Sequence, residues 1–175
     1  MSLLAETSRL VLRELELTDT ELILRLVNEP SFLANIGDRG VRSLEDARRY
    51  LEAGPLASYR QHGHGLNLVL LRESGRPIGI CGLLRRERLP APDLGYALLP
   101  EYWHQGYALE ACRAVLADGR ERFGYRRLLA IVSPGNDPSI RVLERLGFTR
   151  VGEHEEPPGS SAALLYELEL QAGES

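Results

Sequence analysis

The sequence contains no lysine, so all 21 of its basic residues are arginine. This absence excludes Schiff-base chemistry on lysine and the phosphate-binding P-loop, whereas arginine side chains can still bind phosphates as planar forks. Only two cysteines occur, Cys81 and Cys112, and they lack the spacing of a disulfide framework or a metal site. A reducing, cytoplasmic location is therefore expected.

Long hydrophobic runs are also missing. No apolar run approaches the ~20 residues that span a bilayer. The first residues, MSLLAETSRL, lack the basic start and long apolar centre of a signal peptide. We expect no membrane segment, and we leave the first three residues, which could be an expression leader, out of the fold prediction. The net charge of −4 argues against a general nucleic-acid binder.

The composition of the 175 residues, 43% hydrophobic and 26% charged, is typical of one globular domain. We predict a single domain over residues 1–175, with a core at about 7–170. Periodicity, capping residues and turn residues predict its elements. These are strands at 9–15, 91–100, 128–133, 148–153 and 162–170, a hairpin of two strands within 66–84 that turns around Glu73, Ser74 and Gly75, and helices at about 18–28, 43–59, 106–123 and 137–146.

The order of these elements predicts the fold class. Antiparallel hairpins mixed with strand–helix–strand crossovers imply an α/β (α+β) fold with a mixed, mostly antiparallel sheet of six or seven strands and about four helices. The link at 29–41 contains Pro30, Gly37 and Gly40 and is expected to be rich in loops.

Two segments carry candidate chemistry. In EYWHQGYALEA (101–111), Gly106 separates the end of a strand from the start of a helix, where free backbone N–H groups favour an anion such as phosphate. In SPGNDPSIRVLERLGF (133–148), Asn136 and Ser139 lie at the start of the next helix. Each segment alone is equally compatible with an ordinary turn or helix cap.

Together the two segments resemble the GNAT (GCN5-related N-acetyltransferase) superfamily. Residues 103–108, WHQGYA, occupy its acyl-CoA motif [RQ]-x-x-G-x-[GA], with Trp103 departing at the first position. A tryptophan at this position resembles the RimJ/RimL-like branch of ribosomal-protein N-terminal acetyltransferases. Two further stretches resemble the same branch: TSRLVLRELELTD near the start and NDPSIRVLERLGF later in the chain. The resemblance covers Thr7 to about Leu170. It implies a sheet splayed between the fourth predicted strand (91–100) and the fifth (128–133).

The resemblance also implies a cofactor site for acetyl-CoA, the acetyl donor, and no metal. Backbone of the fourth strand would pair with the pantetheine arm, and N–H groups around Gly106 would hold the pyrophosphate. The residues implied in CoA binding are Tyr96, Ala97, Leu98, Leu99, Gln105, Gly106, Tyr107, Ala108, Leu109, Asn136, Ser139 and Arg141.

The implied catalytic residues are Ser139, Asn136, Glu101 and His104. The usual acid of the family is a tyrosine seven residues after the asparagine, where this chain has Leu143. Ser139 is the best substitute for this acid, with an ordinary helix-start serine as the alternative, and Asn136 is expected to hold a water or the cofactor amide.

Several candidates for the base that accepts the amine's proton stay open: Glu101 and His104 beside the expected cleft, Asp93, Glu153, or a chain of waters. The histidines of HGHG (62–65) have no third ligand and are interpreted as loop residues.

The sequence thus predicts an acetyl-CoA-dependent N-acetyltransferase that acts on a primary amine, either a protein N-terminus or a small molecule. The sequence does not indicate an oligomeric state, and a homodimer is a candidate only by analogy with such enzymes. The alternatives are a non-catalytic acyl-CoA-binding regulatory module on the same fold, or an ordinary nucleotide-binding α/β protein.

Overall fold

The protein is built around one mixed sheet of eight strands, in the order β1-β2-β3-β4-β5-β6-β8-β7. The computed structural model describes residues 2–155 and 158–171. All neighbouring strands pair antiparallel except β5 and β6, which are parallel. The strands are β1 Leu3–Glu6, β2 Leu10–Glu14, β3 Leu66–Leu71, β4 Pro77–Leu84, β5 Asp93–Leu98, β6 Arg127–Val132, β7 Thr149–His154 and β8 Ala163–Glu169.

Helices cover both faces of the sheet. They are α1 Thr20–Leu26, α2 Pro30–Asn35, α3 Leu44–Leu51, α4 Ala57–His62, α5 Tyr107–Phe123 and α6 Asp137–Leu146. A π-helical turn, Glu52–Leu56, joins α3 to α4 and contains Pro55, whose missing N–H disturbs the regular helix there. Ser43 is the N-cap of α3, because its Oγ accepts the N–H of Asp46 at 3.0 Å.

The structure differs from the prediction at three places. The helix predicted at 43–59 is divided by the π-helical turn into α3 and α4, and the described residues form six α-helices instead of about four. Residues 3–6, which the prediction left out, form β1 and pair with β2, so the sheet has eight strands instead of six or seven. The link predicted as loop contains α2, which begins with Pro30 and buries Phe32. Proline suits the first turn of a helix as well as a loop, and the tertiary burial of Phe32 favours the helix. The predicted α/β class with a splayed sheet is confirmed.

Two hydrophobic cores lie on opposite faces of the sheet. One packs α5 and α6 against the central strands, and the other packs α1, α2 and α3 against β3 and β4. Cys81 of β4 and Cys112 of α5 meet in the first core, with 3.8 Å between their sulfurs, and both are free thiols. Burial raises the pKa of Cys112, which suits packing better than nucleophilic chemistry.

Parallel pairing between β5 and β6 is confined to one end. Asp93 is the single residue of β5 in register with β6, opposite Leu129, and the Leu129 N–H donates to the Pro92 carbonyl at 2.9 Å. Beyond that point the strands diverge, while β4–β5 and β6–β8 continue to pair along their lengths. The sheet therefore opens into a gap between β5 and β6. No helix in the described part of the chain is long and apolar enough to cross a membrane.

Candidate active site

The gap between β5 and β6 opens into a cleft of about 1100 Å³. Its walls include β5 on one side, residues 130–132 of β6 and the following Ser133 on the other, and the first turns of α5 and α6. The cleft also extends to the face of the sheet that carries α1–α3, where Phe32 and Tyr50 line it. This volume is at the upper end of the range for small-molecule and cofactor sites.

Alternate residues of β5 present their backbone to the gap. The N–H of Leu99 donates to the Ile78 carbonyl at 2.9 Å, so it belongs to the pairing with β4. Backbone groups of an antiparallel strand alternate between its two edges, so the N–H groups of Leu98 and Tyr96 point into the gap, and those of Ala97 and Leu99 do not. The indole of Trp103 donates to the Leu98 carbonyl at 2.8 Å, which gives this unusual motif residue a defined contact.

The start of α5 is an uncapped helix N-terminus that faces the cleft. Gly106 is its N-cap residue, with φ of 81°, and among the described residues the first turn has no capping hydrogen bond from a side chain. Tyr107, Ala108 and Leu109 line the cleft. A φ of 81° favours glycine at this position, and an added Cβ would in addition meet Nη2 of Arg9 at 3.2 Å.

Arg9 holds this turn in place, a role that the sequence analysis missed. Its Nε donates to Glu110 Oε1 and its Nη1 to the Gln105 carbonyl, both at 2.8 Å, and its guanidinium lies 4.3 Å from the Tyr107 ring centre. Thr7 also donates to Glu110. The T-x-R-L pattern at the start of the chain was the available signal, but the partners lie about a hundred residues away in sequence.

The start of α6 brings polar side chains to the same cleft. Asn136 is the N-cap residue, but its side chain makes no capping hydrogen bond, and Asn136, Ser139 and Arg141 all line the cleft. The hydroxyl of Tyr96 donates to Ser139 Oγ at 3.0 Å across the gap. Burial raises the pKa of Tyr96, so this phenol stays protonated. Leu143, at the position of the family's usual acid, is buried against the core.

The structure places one candidate base, His104, in the cleft and the other, Glu101, outside it. His104 lines the cleft and has a left-handed backbone with φ of 60°, which is unusual for a residue with a side chain. Glu101 does not line the cleft, and its carboxylate accepts two bonds from Arg25 Nη2 at 2.6 and 2.8 Å. Its own backbone N–H and then Arg25 hold the pKa of Glu101 below its ordinary value.

Of the remaining candidates, Asp93 lies at the closed end of the gap and Glu153 lies outside the cleft. Asp93 is buried and accepts a bond from Arg86 Nε at 3.1 Å. Glu153 is exposed on β7 beside Arg150. Leu99 and Gln105, both predicted to bind the cofactor, are also absent from the cleft wall, and the Gln105 side chain donates to the Glu101 carbonyl. Within residues 2–155 and 158–171, no group of three potential metal ligands occurs.

Comparison with known proteins decides the family. Residues 9–149 match the family described as Acetyltransferase (GNAT) domain. The chain belongs to the GNAT acetyltransferase family. This GNAT acetyltransferase is similar to the uncharacterized N-acetyltransferase YoaA of Bacillus subtilis (strain 168), with 28% identity over 151 residues, 84% of this chain and 83% of that protein.

Solved acetyltransferase structures resemble nearly the whole chain. An acetyltransferase from Agrobacterium tumefaciens str. C58 aligns with a TM-score of 0.81 and 26% identity, over 97% of this chain and 95% of that one. The ribosomal L7/L12 alpha-N-protein acetyltransferase RimL in complex with coenzyme A aligns with a TM-score of 0.82 over 97% of this chain and 98% of that one. Its identity of 18% supports the fold alone. The predicted GNAT membership is confirmed.

Proposed function

We propose that this acetyltransferase transfers the acetyl group of acetyl-CoA directly to a primary amine, either a protein N-terminus or a small-molecule amine. The observation that carries the proposal is the gap between β5 and β6, which joins an uncapped helix N-terminus to a pair of hydrogen-bonded hydroxyls at Tyr96 and Ser139. A homodimer stays a candidate by analogy, and a cytoplasmic location stays a prediction from the sequence.

The cleft suits a long donor with an anionic end. Free N–H groups at residues 107–109 and the positive end of the α5 dipole favour a pyrophosphate. Arg141 and Arg145 on α6 line the same cleft and add positive charge. The gap-facing N–H groups of Tyr96 and Leu98 would pair with an amide-bearing arm or polarise a carbonyl oxygen. Bound acetyl-CoA supplies the activated acetyl group as a thioester.

Ser139 is the proposed acid that protonates the departing thiolate. Its Oγ accepts the Tyr96 hydroxyl proton in a hydrogen bond, so its own proton is free to point into the cleft. Tyr96 therefore orients Ser139 and can resupply a proton through it. This arrangement compensates for Leu143 at the position of the family's usual tyrosine.

His104 is the proposed base. It lines the cleft, whereas Glu101 is held outside by Arg25. The imidazole would take the proton from the attacking amine directly or through one water. Asn136 would hold that water or an amide of the donor, because its side chain is not used to cap α6.

The test combines binding with turnover. Acetyl-CoA binding is measured by titration calorimetry, and free CoA release is measured with a panel of peptides, amino acids and small amines. We expect binding together with release that depends on the acceptor. Tight binding without release for any acceptor would support the non-catalytic alternative. Thermal protection by ATP or NAD but not by CoA would contradict the donor assignment.

A further inference from the structure

The cleft continues past the proposed reaction site to the face of the sheet that carries α1–α3. We name this part the acceptor side, and we define it by the cleft residues Phe32, Ile36, Arg39, Tyr50, Ile80, Leu84, Arg86 and Asp93. Its apolar residues suit the body of a ligand, whereas the two arginines and the Tyr50 hydroxyl can bind an anion. The positive charge of these arginines is the feature that the proposed function does not use.

Arg86 is held in place by a hydrogen bond from its Nε, which leaves its two terminal nitrogens available to a ligand. Its Nε donates to Asp93 Oδ2 at 3.1 Å, and the Asp93 side chain is only 1% exposed while that of Arg86 is 29% exposed. A buried carboxylate needs a paired cation, so this contact holds the guanidinium in one place. Within the part of the chain that the structure describes, neither terminal nitrogen of Arg86 makes a hydrogen bond.

Arg39 and Tyr50 complete the polar group. Arg39 lies in the link between Gly37 and Gly40, and among the described residues its guanidinium has no hydrogen bond or ion pair. Burial raises the pKa of the Tyr50 hydroxyl, and the positive charges of Arg39 and then Arg86 oppose that rise. Arg39, Tyr50 and Arg86 all line the same cleft.

The carboxylates that line this part of the cleft each contact an arginine other than Arg39. Asp93 is paired with Arg86, and Glu29, which also lines the cleft, lies with Oε1 at 3.4 Å from Nε of Arg25. The charge of Arg39 is left uncompensated by the described residues. A cluster with unused guanidinium donors and an unneutralised positive charge favours a carboxylate ligand, which an arginine fork can bind in a bidentate manner.

We propose that the amine acceptor carries a carboxylate that binds between Arg39, Arg86 and Tyr50. This inference rests on the proposed function, because it assumes that the amine reacts near Ser139. Asp93 precedes Tyr96 by three residues of β5, or about 10 Å of extended strand. An α-amino acid holds its two charged groups too close together to reach both places. A peptide spans ~3.5 Å per residue, so an acidic side chain two or three residues after the reacting N-terminus fits.

The experiment compares two acceptor peptides that differ only in glutamate or glutamine at the third residue. We expect the glutamate peptide to have a kcat/KM about tenfold higher, the effect of one charge-assisted contact. Arg39→Glu should abolish or reverse this preference. The matched control is Arg60→Glu, which makes the same charge change on an exposed arginine of α4 outside the cleft, and it should keep the preference.

A binding measurement separates this inference from the proposed function. Trp103 is the chain's single tryptophan and lines the cleft, so its fluorescence reports peptide binding without turnover. Equal affinity and equal turnover for the two peptides would overturn the inference. Preferential binding that depends on Arg39 but lacks acetylation would support the subsite and refute the acetyl transfer. The ω-amino acid 6-aminohexanoate tests a small acceptor of similar length. If it is acetylated faster than the glutamate peptide, the carboxylate belongs to a small molecule.

Discussion

Replacing Ser139 with alanine removes the acceptor of the Tyr96 hydroxyl bond, which is 3.0 Å long. Tyr96 packs against the core beneath α5, so its hydroxyl would lose a partner in a partly buried position. A buried polar group left unsatisfied costs ~1–3 kcal/mol, and we expect Ser139→Ala to lower the free energy of unfolding by about 1 kcal/mol. The double variant Tyr96→Phe with Ser139→Ala removes both hydroxyls and should lose less free energy of unfolding than Ser139→Ala alone. Urea unfolding measures this difference.

The same variants test the order of the two groups in catalysis. Loss of a general acid typically costs at least ~100-fold, so Ser139→Ala should lower kcat by about that factor while the Kd for CoA changes little. Tyr96→Phe removes one neutral hydrogen bond of ~1 kcal/mol and should lower kcat about fivefold. Because Tyr96 acts through Ser139, the double variant should have the same kcat as Ser139→Ala.

A matched control is Tyr125→Phe, which removes another hydrogen-bonded phenol hydroxyl, 2.7 Å from His64 and outside the cleft. It should leave kcat unchanged. Burial raises the pKa of Tyr96, so ionisation of this residue should not limit kcat below the ordinary tyrosine value of about 10. Unchanged kcat in Ser139→Ala, or multiplied losses in the double variant, would refute the relay.

Three further predictions test other parts of the molecule. Gly106 and Gly124 lie at opposite ends of α5 with φ of 81° and 67°, so replacing either with alanine should lower the free energy of unfolding by ~1–2 kcal/mol. Only Gly106→Ala should weaken CoA binding. Equal Kd values for CoA in the two variants, measured by calorimetry, would contradict the anion site. His104→Gln should lower kcat about 100-fold in the CoA-release assay, and a loss below threefold would exclude it as the base. Burial lowers the pKa of His64, so its stabilising contribution is present above the unfolded value of about 6.5 and is lost as pH falls below it. The free energy of unfolding, measured with urea at pH 7.5 and at pH 5.5, should therefore change less between the two pH values in His64→Gln than in the exposed control His62→Gln.

Local sequence patterns predicted those features of the fold that depend on neighbouring residues. The glycine turn before α5, the Ser43 cap and most strands were recognisable because backbone conformation and alternating burial leave a signature within a few residues. The strand at residues 3–6 was missed, since its pairing partner is in β2 and its burial pattern is weak. Glu101 was a reasonable candidate base from its place after β5, but Arg25, 76 residues earlier, holds it outside the cleft.

The sequence by itself determined that the chain has the ordered motifs of a GNAT acetyltransferase, that it lacks the usual tyrosine acid at Leu143, and that Gly106 begins a helix. Only the tertiary structure decided that Tyr96 bonds to Ser139, that Arg9 supports the Gly106 turn, and that Arg39 and Arg86 share one side of the cleft. The reason is that these contacts join residues from different elements, between 43 and 96 positions apart for the two hydrogen-bonded pairs. Their distances follow from how the sheet diverges and how its helices pack, and no local periodicity encodes that arrangement.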